Sequence, residues 1–399
     1  MNAEQQSVNK QKKRLIGSLS ASKLADLLIS AKTTLPALLI TLGAPAWMVG
    51  WLVPIRESGA LLPQAAIGVL LRKIAARHGV WRAGMAVQII ACAGMLCAAL
   101  LMEGAHAGWV ILGALVLLSL GRSACSLTVK DIEADIAAKG ERGKLLGRAS
   151  TLSGILTLLI AVPLVMFQST LGMTLITALV TLAAAGFCCA LLFLLPVKTY
   201  VRMQQKTSTD TPSNKVAFWQ FDAVVYRFVL VRGLFVHSAL VAPYFMLENE
   251  AGPQQLLPFY LAAQAGATML SSIVWGRLSD RSARLTLQIA GAIALLACAG
   301  LLSLTAPSVW LSGVLFFILS VAHTGVRTGR KTYSLDVKKG QGRTELVAFS
   351  NTAIGLILLG FGAFYALIKP FIGFSVVYIM AAVLVLAMLL TFCLPREKA

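Results

Sequence analysis

The chain has 399 residues, of which 58% are hydrophobic and only 13% are charged, and its mean hydropathy is +0.80. A soluble domain carries about 25% charged residues, so this composition excludes a water-soluble protein and predicts an integral membrane protein. The formal net charge of +19 could indicate binding to nucleic acid. However, the basic residues alternate with apolar segments and form no soluble basic domain, so we expect no nucleic-acid partner.

The N-terminal segment, residues 1–14, is polar and basic, and we interpret it as a tail on the cytoplasmic side. The apolar stretch that follows is long and contains Lys23, Asp26 and Lys32. A cleaved signal peptide has a short apolar core closed by a small-residue cleavage site. This stretch has neither feature, so we do not expect a signal peptide.

Twelve segments of the chain are long and apolar enough to cross a membrane, which takes about 20 residues. These segments, called spans 1 to 12, are predicted at 15–42, 46–70, 83–103, 107–128, 145–168, 172–196, 224–247, 255–275, 285–305, 308–328, 345–368 and 372–395. A long polar interval, 197–222, divides them six and six. The sequence therefore predicts an all-α polytopic membrane protein with two six-helix bundles, 15–196 and 223–396, joined by a cytoplasmic loop.

The loops on the two sides of the membrane differ in charge. Odd-numbered loops are short, and Lys369 is their one basic residue. The termini and even-numbered loops carry basic clusters such as "KQKKR", "GRLSDRSAR" and "RTGRKTYSLDVKKGQGR", the last of which contains Arg327 and Arg330. Cytoplasmic loops are enriched in Lys and Arg, so both termini are predicted to be cytoplasmic. We expect the protein in the lipid bilayer of a bacterial inner membrane.

The two halves of the chain are related by an internal repeat. Residues 115–156 align without a gap on residues 316–357, which lie 201 positions later. Identical pairs include Ser119 and Ser320, Lys130 and Lys331, Asp135 and Asp336, Arg142 and Arg343, Leu145 and Leu346, Thr151 and Thr352, and Gly154 and Gly355. Two halves of the same sense imply a pseudo-two-fold axis along the membrane normal and a binding site between the halves.

One motif adds a family resemblance. The segment "GRLSDRSAR" between spans 8 and 9 has Gly276, Asp280, Arg281 and Arg284 at the positions of a gating motif. With its six-plus-six arrangement, the chain resembles the major facilitator superfamily of transporters over nearly its whole length. The resemblance implies a secondary transporter that works by alternating access. It also implies that Asp280 holds a neighbouring helix end on the cytoplasmic side in one state.

The chain departs from the superfamily pattern in three places. Ala283 replaces the second glycine of the motif, and Ala76 stands where the first-half copy should have an acid, although Arg77 is kept. The first-half gate is therefore expected to be weaker or built differently. Span 5 contains Pro163 but lacks the Gly-Pro pair of drug–proton antiporters, which lowers the expectation of drug efflux.

Spans 1 and 2 contain charges near their predicted midpoints, where charges are costly and usually functional. Lys32 and Glu57 each lie about twelve residues from the turn between these spans, so at about 1.5 Å per residue they have similar depth. We therefore predict that they are close together, and that Arg56 faces elsewhere. Such a pair either fixes the packing of the two spans or handles solute or protons directly.

Asp26 lies three residues after Lys23, on the same helix face. One interpretation is a satisfied Lys23–Asp26 pair near the cytoplasmic end. The other makes Asp26 a proton carrier, since a carboxylate in a low-dielectric site can bind a proton near neutral pH.

Spans 4 and 10 place Arg122 and His323 at equivalent positions of the repeat. The superfamily resemblance implies that spans 1, 4, 7 and 10 line the central cavity, so both residues are expected there. Span 7 adds Arg232 and His237. These basic residues are either ligands for solute or protons, or side chains that reach the cytoplasmic interface, as Arg232 and Arg122 could most easily do.

The complete set of candidate solute or proton residues is Asp26, Lys32, Arg56, Glu57, Arg122, Arg232, His237 and His323. Basic residues outnumber acidic ones, which favours a small anionic or zwitterionic organic solute, moved together with protons. One alternative is efflux of amphipathic drugs by proton antiport. Another is a non-transporting receptor or membrane enzyme on the same scaffold, although such a scaffold needs neither midplane charges nor a gating motif.

No cofactor is expected. The seven cysteines fall inside or at the edge of apolar spans without metal-site spacing. The sequence has no Walker-type phosphate loop and no nucleophile–base signature, so we expect no enzyme activity. We expect a monomer.

Overall fold

The computed structural model of the chain describes residues 3–71, 73–137, 142–167, 172–200, 222–304, 307–336 and 341–395. These residues are almost entirely helical, apart from an isolated bridge between Ala76 and Tyr200. The helices are α1 (Ala3–Leu28), α2 (Thr34–Thr41), α3 (Ala46–Leu61), α4 (Pro63–Leu71), α5 (Arg77–Leu101), α6 (Gly104–Ile136), α7 (Arg142–Phe167), α8 (Gly172–Leu194), α9 (Ala223–Leu234), α10 (His237–Leu240), α11 (Ala242–Leu247), α12 (Pro253–Arg281), α13 (Ala283–Ser303), α14 (Val309–Asp336), α15 (Gln341–Ile368) and α16 (Val376–Leu390).

Within the described residues, ten helical segments are long and apolar enough to cross a membrane by length and composition. They correspond to spans 3 to 12, with α9, α10 and α11 together forming span 7. Spans 1 and 2 consist of the broken pairs α1–α2 and α3–α4, which contain the charged residues of the first two spans. The predicted all-helical architecture is confirmed.

Span 1 is interrupted because of Pro36. A proline has no N–H to donate, and its ring clashes with the carbonyl four residues earlier. That carbonyl belongs to Lys32, so a regular helix cannot pass through this residue. Instead, the N–H groups of Thr33 and Leu35 both donate to the carbonyl of Ser30, at 3.3 and 3.1 Å. Lys32 therefore lies in a helix break, where backbone polar groups are accessible.

Span 7, the first span of the second half, is also broken, into α9, α10 and α11. Pro243 lies in the first turn of α11, and Pro63 begins α4 in span 2. Proline is tolerated at a helix start because the first N–H groups have no partner there. In each half, therefore, the first span is broken.

Several helices extend beyond the predicted spans. α6 reaches Ile136 and α12 reaches Arg281, whereas the predictions for spans 4 and 8 end at 128 and 275. Helix α1 begins at Ala3, so the basic segment predicted as a tail is continuous with span 1 from there on. The predicted loop 197–222 lies mostly outside the described residues, as does 396–399.

The two halves are joined mainly by span 2 against span 11 and by span 5 against span 8. An even number of spans puts both termini at one end of the bundle, here named the terminal end, and the opposite end is the far end. At the far end α2 also packs against α11 and α12. Between the halves, the Ser58 hydroxyl donates to the Gly355 carbonyl at 2.8 Å.

The outer surface of the bundle is apolar. Leu101, Met166 and Leu367 have 75%, 76% and 70% of their surface exposed. Lipid tails are as apolar as leucine side chains, so this exposure is favourable in a membrane and unfavourable in water. The surface agrees with an integral membrane protein.

Spans 3 and 4 approach each other closely through glycines. A Cβ placed on Gly121 of α6 would lie 2.6 Å from the carbonyl oxygen of Gly84 on α5. A Cβ on Gly84 would lie 2.7 Å from Cys125 Sγ. Small residues permit this approach, and the packing that results stabilises membrane helix pairs.

We predict that Gly121→Ala destabilises the protein by about 1–3 kcal/mol, because the added methyl group forces α5 and α6 apart. Gly113 on the same helix is the matched control, since a Cβ there meets no atom within 4 Å. Unfolding of both variants in detergent measures the difference. Equal stability of Gly121→Ala and Gly113→Ala would contradict the close packing.

Candidate functional site

Asp26 lies between two arginines from other spans. Its Oδ1 accepts a hydrogen bond from Arg56 Nη2 of α3 at 2.6 Å. Its Oδ2 pairs with Arg122 Nη1 of α6, and Arg122 also donates to the Ser22 hydroxyl at 3.3 Å. The Asp26 and Arg56 side chains are 15% and 16% exposed, and Arg122 is 31% exposed. One carboxylate thus connects spans 1, 2 and 4.

This arrangement corrects the predicted orientation of Arg56 and decides against one of the two alternatives for Arg122. Arg56 does not face away from span 1 but binds Asp26, and Arg122 binds the same carboxylate instead of reaching the membrane interface. Lys23, the other expected partner of Asp26, bonds the hydroxyl of Ser150 on α7. A guanidinium can bind a carboxylate with two donors and is more weakly hydrated than an ammonium, so it is better suited to a partly buried pair.

Lys32 connects the two halves. Its Nζ lies 2.7 Å from Nε2 of His323 on α14, and His323 Nδ1 lies 3.1 Å from the Ser238 hydroxyl on α10. The Ser238 hydroxyl donates to the Phe235 carbonyl at 2.9 Å. The ammonium has only donors, so Nε2 accepts from Lys32 and Nδ1–H donates to Ser238. The contact therefore requires an uncharged imidazole when Lys32 is charged.

Lys32 and Glu57 lie near each other, but they do not form a direct ion pair. Among the described residues Glu57 has no hydrogen-bond or ion-pair partner, and the cations near it are Lys32, Arg56, Arg327 and Arg330. The prediction assumed a straight span 1. The break caused by Pro36 removes that helical phase, and Lys32 extends to His323 instead.

We name the region between the halves that is bordered by Lys32 and Glu57 of the first half and by His323, Arg327 and Arg330 of the second half the central cleft. The charges of Arg327 and Arg330 act on Lys32 and Glu57 across it. Arg327 is exposed and Arg330 is partly exposed. The cleft is therefore rich in positive charge.

Arg232 has polar partners within the second half. It donates to the Ser350 hydroxyl at 2.5 Å and to the side-chain amide oxygen of Asn351, Oδ1, at 2.9 Å. Asn351 in turn donates to Gln64 Oε1 of α4 at 3.3 Å. Arg232 is thus the first member of a chain of polar contacts that joins spans 7, 11 and 2, rather than a side chain that reaches the interface.

His237 is a core residue. It is fully buried, its Nδ1 lies 2.7 Å from the Leu234 carbonyl at the break in span 7, and its Nε2 lies 2.6 Å from the Tyr365 hydroxyl. A neutral imidazole satisfies both contacts when Nδ1–H donates to the carbonyl and the tyrosine donates to Nε2. These contacts indicate a structural role at the helix break.

The gating motif lies mostly inside a helix rather than in a turn. Gly276, Asp280 and Arg281 belong to α12, which ends at Arg281, and the chain turns only at Ser282. Arg284 donates to the carbonyls of Leu394 and Phe392, at 3.1 and 3.3 Å. Asp280 is exposed, and within the described part of the chain it has no ion pair. Among the residues that the structure describes, Asp280 therefore does not make the gating contact implied by the resemblance.

In the first half, the segment between spans 2 and 3 makes a different contact, an ion pair of Arg77 with Asp131. Arg77 Nε lies 2.9 Å from Asp131 Oδ2 of α6, and Arg77 Nη1 donates to the Leu71 carbonyl at 2.7 Å. Because Ala76 cannot supply a carboxylate, the acid comes from the end of span 4. This agrees with the expectation that the first-half gate is built differently.

A second concave surface is not a candidate site. An open groove of about 580 Å³ lies between α5 and α8 on the outer face and is lined by Leu96, Leu100, Thr174, Thr177, Ala178, Thr181, Leu182 and Ala185. It contains no charged side chain, so it suits lipid chains rather than an ionic solute. No metal-binding group of His, Cys, Asp or Glu occurs within the described residues.

The structure adds residues that sequence reasoning missed. Arg327 and Arg330 were assigned to the basic cytoplasmic loop, yet they face the central cleft. Their spacing from His323, at i+4 and i+7, puts all three on one helix face, and this spacing was the available signal. Ser150, Gln64 and Asn351 gave no such signal, because their contacts depend on how the spans pack.

We predict a strong energetic coupling between Asp26 and Arg56. A double-mutant cycle with Asp26→Asn and Arg56→Gln should give a coupling free energy of about 1.5–3 kcal/mol, the range for hydrogen bonds to charged groups. The matched cycle with Lys23→Gln and Asp26→Asn should give less than about 0.5 kcal/mol, since these side chains have other partners. Unfolding in detergent measures both, and the reverse order would contradict the observed pairing.

Comparison with known proteins places this fold. The family model described as Major Facilitator Superfamily matches residues 27–337. Among solved structures, a mutant of the nucleoside transporter NupG aligns with a TM-score of 0.74 at 10% identity, covering 96% of this chain and 99% of that one. The inward-open xylose transporter XylE from E. coli gives 0.70 at 15% identity, covering 97% and 96%.

A D-xylose–proton symporter aligns with a TM-score of 0.73 at 13% identity, covering 97% of this chain and 98% of that one. At such identities these structures are informative about the fold alone. No curated protein sequence matches the chain. The family match covers more than half of the chain, which carries the twelve-span arrangement in two halves. The chain therefore belongs to the major facilitator superfamily and is an integral membrane transporter of that type.

Proposed function

We propose that the protein moves a small organic solute with at least one anionic group across a bacterial inner membrane, together with protons. The observation that carries this proposal is the charge of the central cleft. Lys32, Arg327 and Arg330 border it, and Glu57 is the one carboxylate of the cleft without a direct partner among the described residues. An anion entering the cleft gains favourable electrostatic interactions with these cations.

The same charges argue against efflux of lipophilic cations. A cationic drug would enter a space in which positive charges predominate and would be repelled. The outer groove between α5 and α8 is apolar but is not between the halves, where alternating access requires the solute to bind. A receptor or an enzyme would not need a helix break or a hydrogen bond from a lysine of one half to a histidine of the other.

Asp26 is the proposed proton site. Arg56 and Arg122 bind its carboxylate, and Lys23 and the thiol of Cys92 are further titratable groups near it. An anionic solute in the cleft attracts Arg122 without binding it and so weakens the pairing of Arg122 with Asp26, and a proton can then replace that cation. Solute and proton binding then favour each other, as symport requires.

We further propose that this conformation is open to the cytoplasm. The contacts between spans 1 and 7 involve α2 and α11, which are their far-end segments, and Asp280 at the terminal end is exposed. The basic loops favour cytoplasmic termini. In the opposite state we expect Asp280 to contact a neighbouring helix end and the Lys32–His323 contact to break.

Proton-coupled anion transport can be tested in proteoliposomes that contain a pH-sensitive dye. We expect that protons cross the membrane together with succinate or phenyl phosphate. The neutral solutes xylose and uridine should not cause proton movement. Asp26→Asn should abolish solute-driven proton movement while retaining solute exchange, because the amide cannot titrate. Glu103→Gln is the matched control, since Glu103 is exposed at the far end of the bundle.

Two results would contradict the proposal. Proton movement driven by the neutral solutes, and not by the anions, would reject an anionic solute. Wild-type proton movement in the Asp26→Asn variant would reject Asp26 as the proton site.

A further inference from the structure

We propose that the solute carries two negative charges, as a phosphate monoester or a dicarboxylate does, and that Lys32, Arg327 and Arg330 bind them. This inference rests on the proposed function and specifies its solute class. It concerns Arg327 and Arg330, which lie on the second-half side of the cleft and are not part of the proposed proton site.

The position of the two arginines follows from the packing of α14. A Cβ on Gly325 would lie 2.8 Å from the Cβ of Ala290, and a Cβ on Gly329 would lie 3.1 Å from the Ala283 carbonyl oxygen. This face of α14 therefore packs against its neighbours within the second half. Arg327 and Arg330 are on the other face, with His323, which contacts Lys32 across the cleft.

Both guanidinium groups have donors to spare. Among the described residues neither Arg327 nor Arg330 has a hydrogen-bond or ion-pair partner, whereas Arg56, Arg122 and Arg232 all have one. A guanidinium presents five N–H donors in a planar fork that fits carboxylate and phosphate oxygens. Two unpaired forks on adjacent turns are therefore suited to bind a multivalent oxyanion.

The balance of charge selects a dianion. Apart from Asp26, Arg56 and Arg122, which pair with one another, the charged groups here are Lys32, Arg327 and Arg330, with three positive charges, and Glu57, with one negative charge. His323 is neutral while it accepts from Lys32. The site therefore has an excess of two positive charges. A monoanion would leave one of them unbalanced, whereas a dianion neutralises the site, which lowers the cost of excluding water when the cleft closes.

Binding of a dianion also affects the contact between the halves. The Lys32 ammonium that donates to His323 at 2.7 Å is the same group that would bind the solute. An oxyanion is a stronger acceptor than a neutral imidazole, so Lys32 is drawn away from His323. The solute thereby weakens the Lys32–His323 contact that joins the halves in this conformation.

Calorimetric titration of the purified full-length protein at about pH 7.5, where the second proton of a phosphate monoester is lost, tests this inference. The dianions are phenyl phosphate and succinate, and the matched monoanions are methyl phenyl phosphate and monomethyl succinate, all at equal ionic strength. We expect at least one dianion to bind about tenfold or more tightly than its monoanion. Arg327→Gln and Arg330→Gln should each weaken that binding by about tenfold to a hundredfold.

Arg277→Gln is the matched control, because Arg277 is exposed on the outer face of α12 beside Ile273 and Val274. It should bind the dianion as the wild type does. Arg330→Lys keeps the charge but loses the fork, so its affinity should fall between those of the wild type and Arg330→Gln. This variant keeps the test decisive if Arg330→Gln fails to fold.

The possible outcomes separate this inference from the proposed function. Monoanions that bind as tightly as dianions, or unchanged dianion binding in both Arg→Gln variants, would overturn the inference and leave anion transport standing. Binding of xylose or uridine without binding of any anion would overturn both. If phenyl phosphate and succinate differ in affinity, the tighter one identifies the phosphate or the dicarboxylate as the solute group.

Discussion

The ionic contact on which the first half depends is that of the Asp26 carboxylate with Arg56 and Arg122. Three charged side chains in the interior of a membrane protein are tolerated only when they are paired. Removing the carboxylate would leave two cations facing each other, so spans 1, 2 and 4 are packed around a group whose charge cannot change without consequence. This property suits Asp26 to a site where proton binding must alter helix packing.

A covalent constraint, proline, determines where the other charges lie. Pro36 prevents a continuous span 1 and leaves Lys32 in a helix break, from which its ammonium contacts His323 of the second half. Glu57 then remains without a direct partner in the described part of the chain, near Arg327 and Arg330. Lys32 thus belongs both to the positive cleft and to the contact between the halves. A solute that competes for Lys32 acts on both.

The spans, the repeat and the superfamily resemblance could all be predicted because apolar length, basic loops and a fixed offset are local patterns in the sequence. The charge pairs could not be predicted from such local patterns. A direct Lys32–Glu57 pair requires a straight span 1, whereas Pro36 breaks this span and changes its helix phase. Arg327 and Arg330 were interpreted as topology signals, although their i+4 and i+7 spacing from His323 indicates one helix face. His237 gave no sign that it would satisfy a broken helix, since its partner Tyr365 is distant in sequence.

The central claim is that Asp26 exchanges an arginine for a proton when an anion binds. Infrared difference spectroscopy of the purified protein, recorded with and without bound dianion, reports the carbonyl stretch of a protonated carboxylic acid directly. We predict that dianion binding produces this band in the wild type and in Glu57→Gln, and that the band is absent in Asp26→Asn. The same band persisting in Asp26→Asn, or no band in the wild type although the dianion binds, would contradict it.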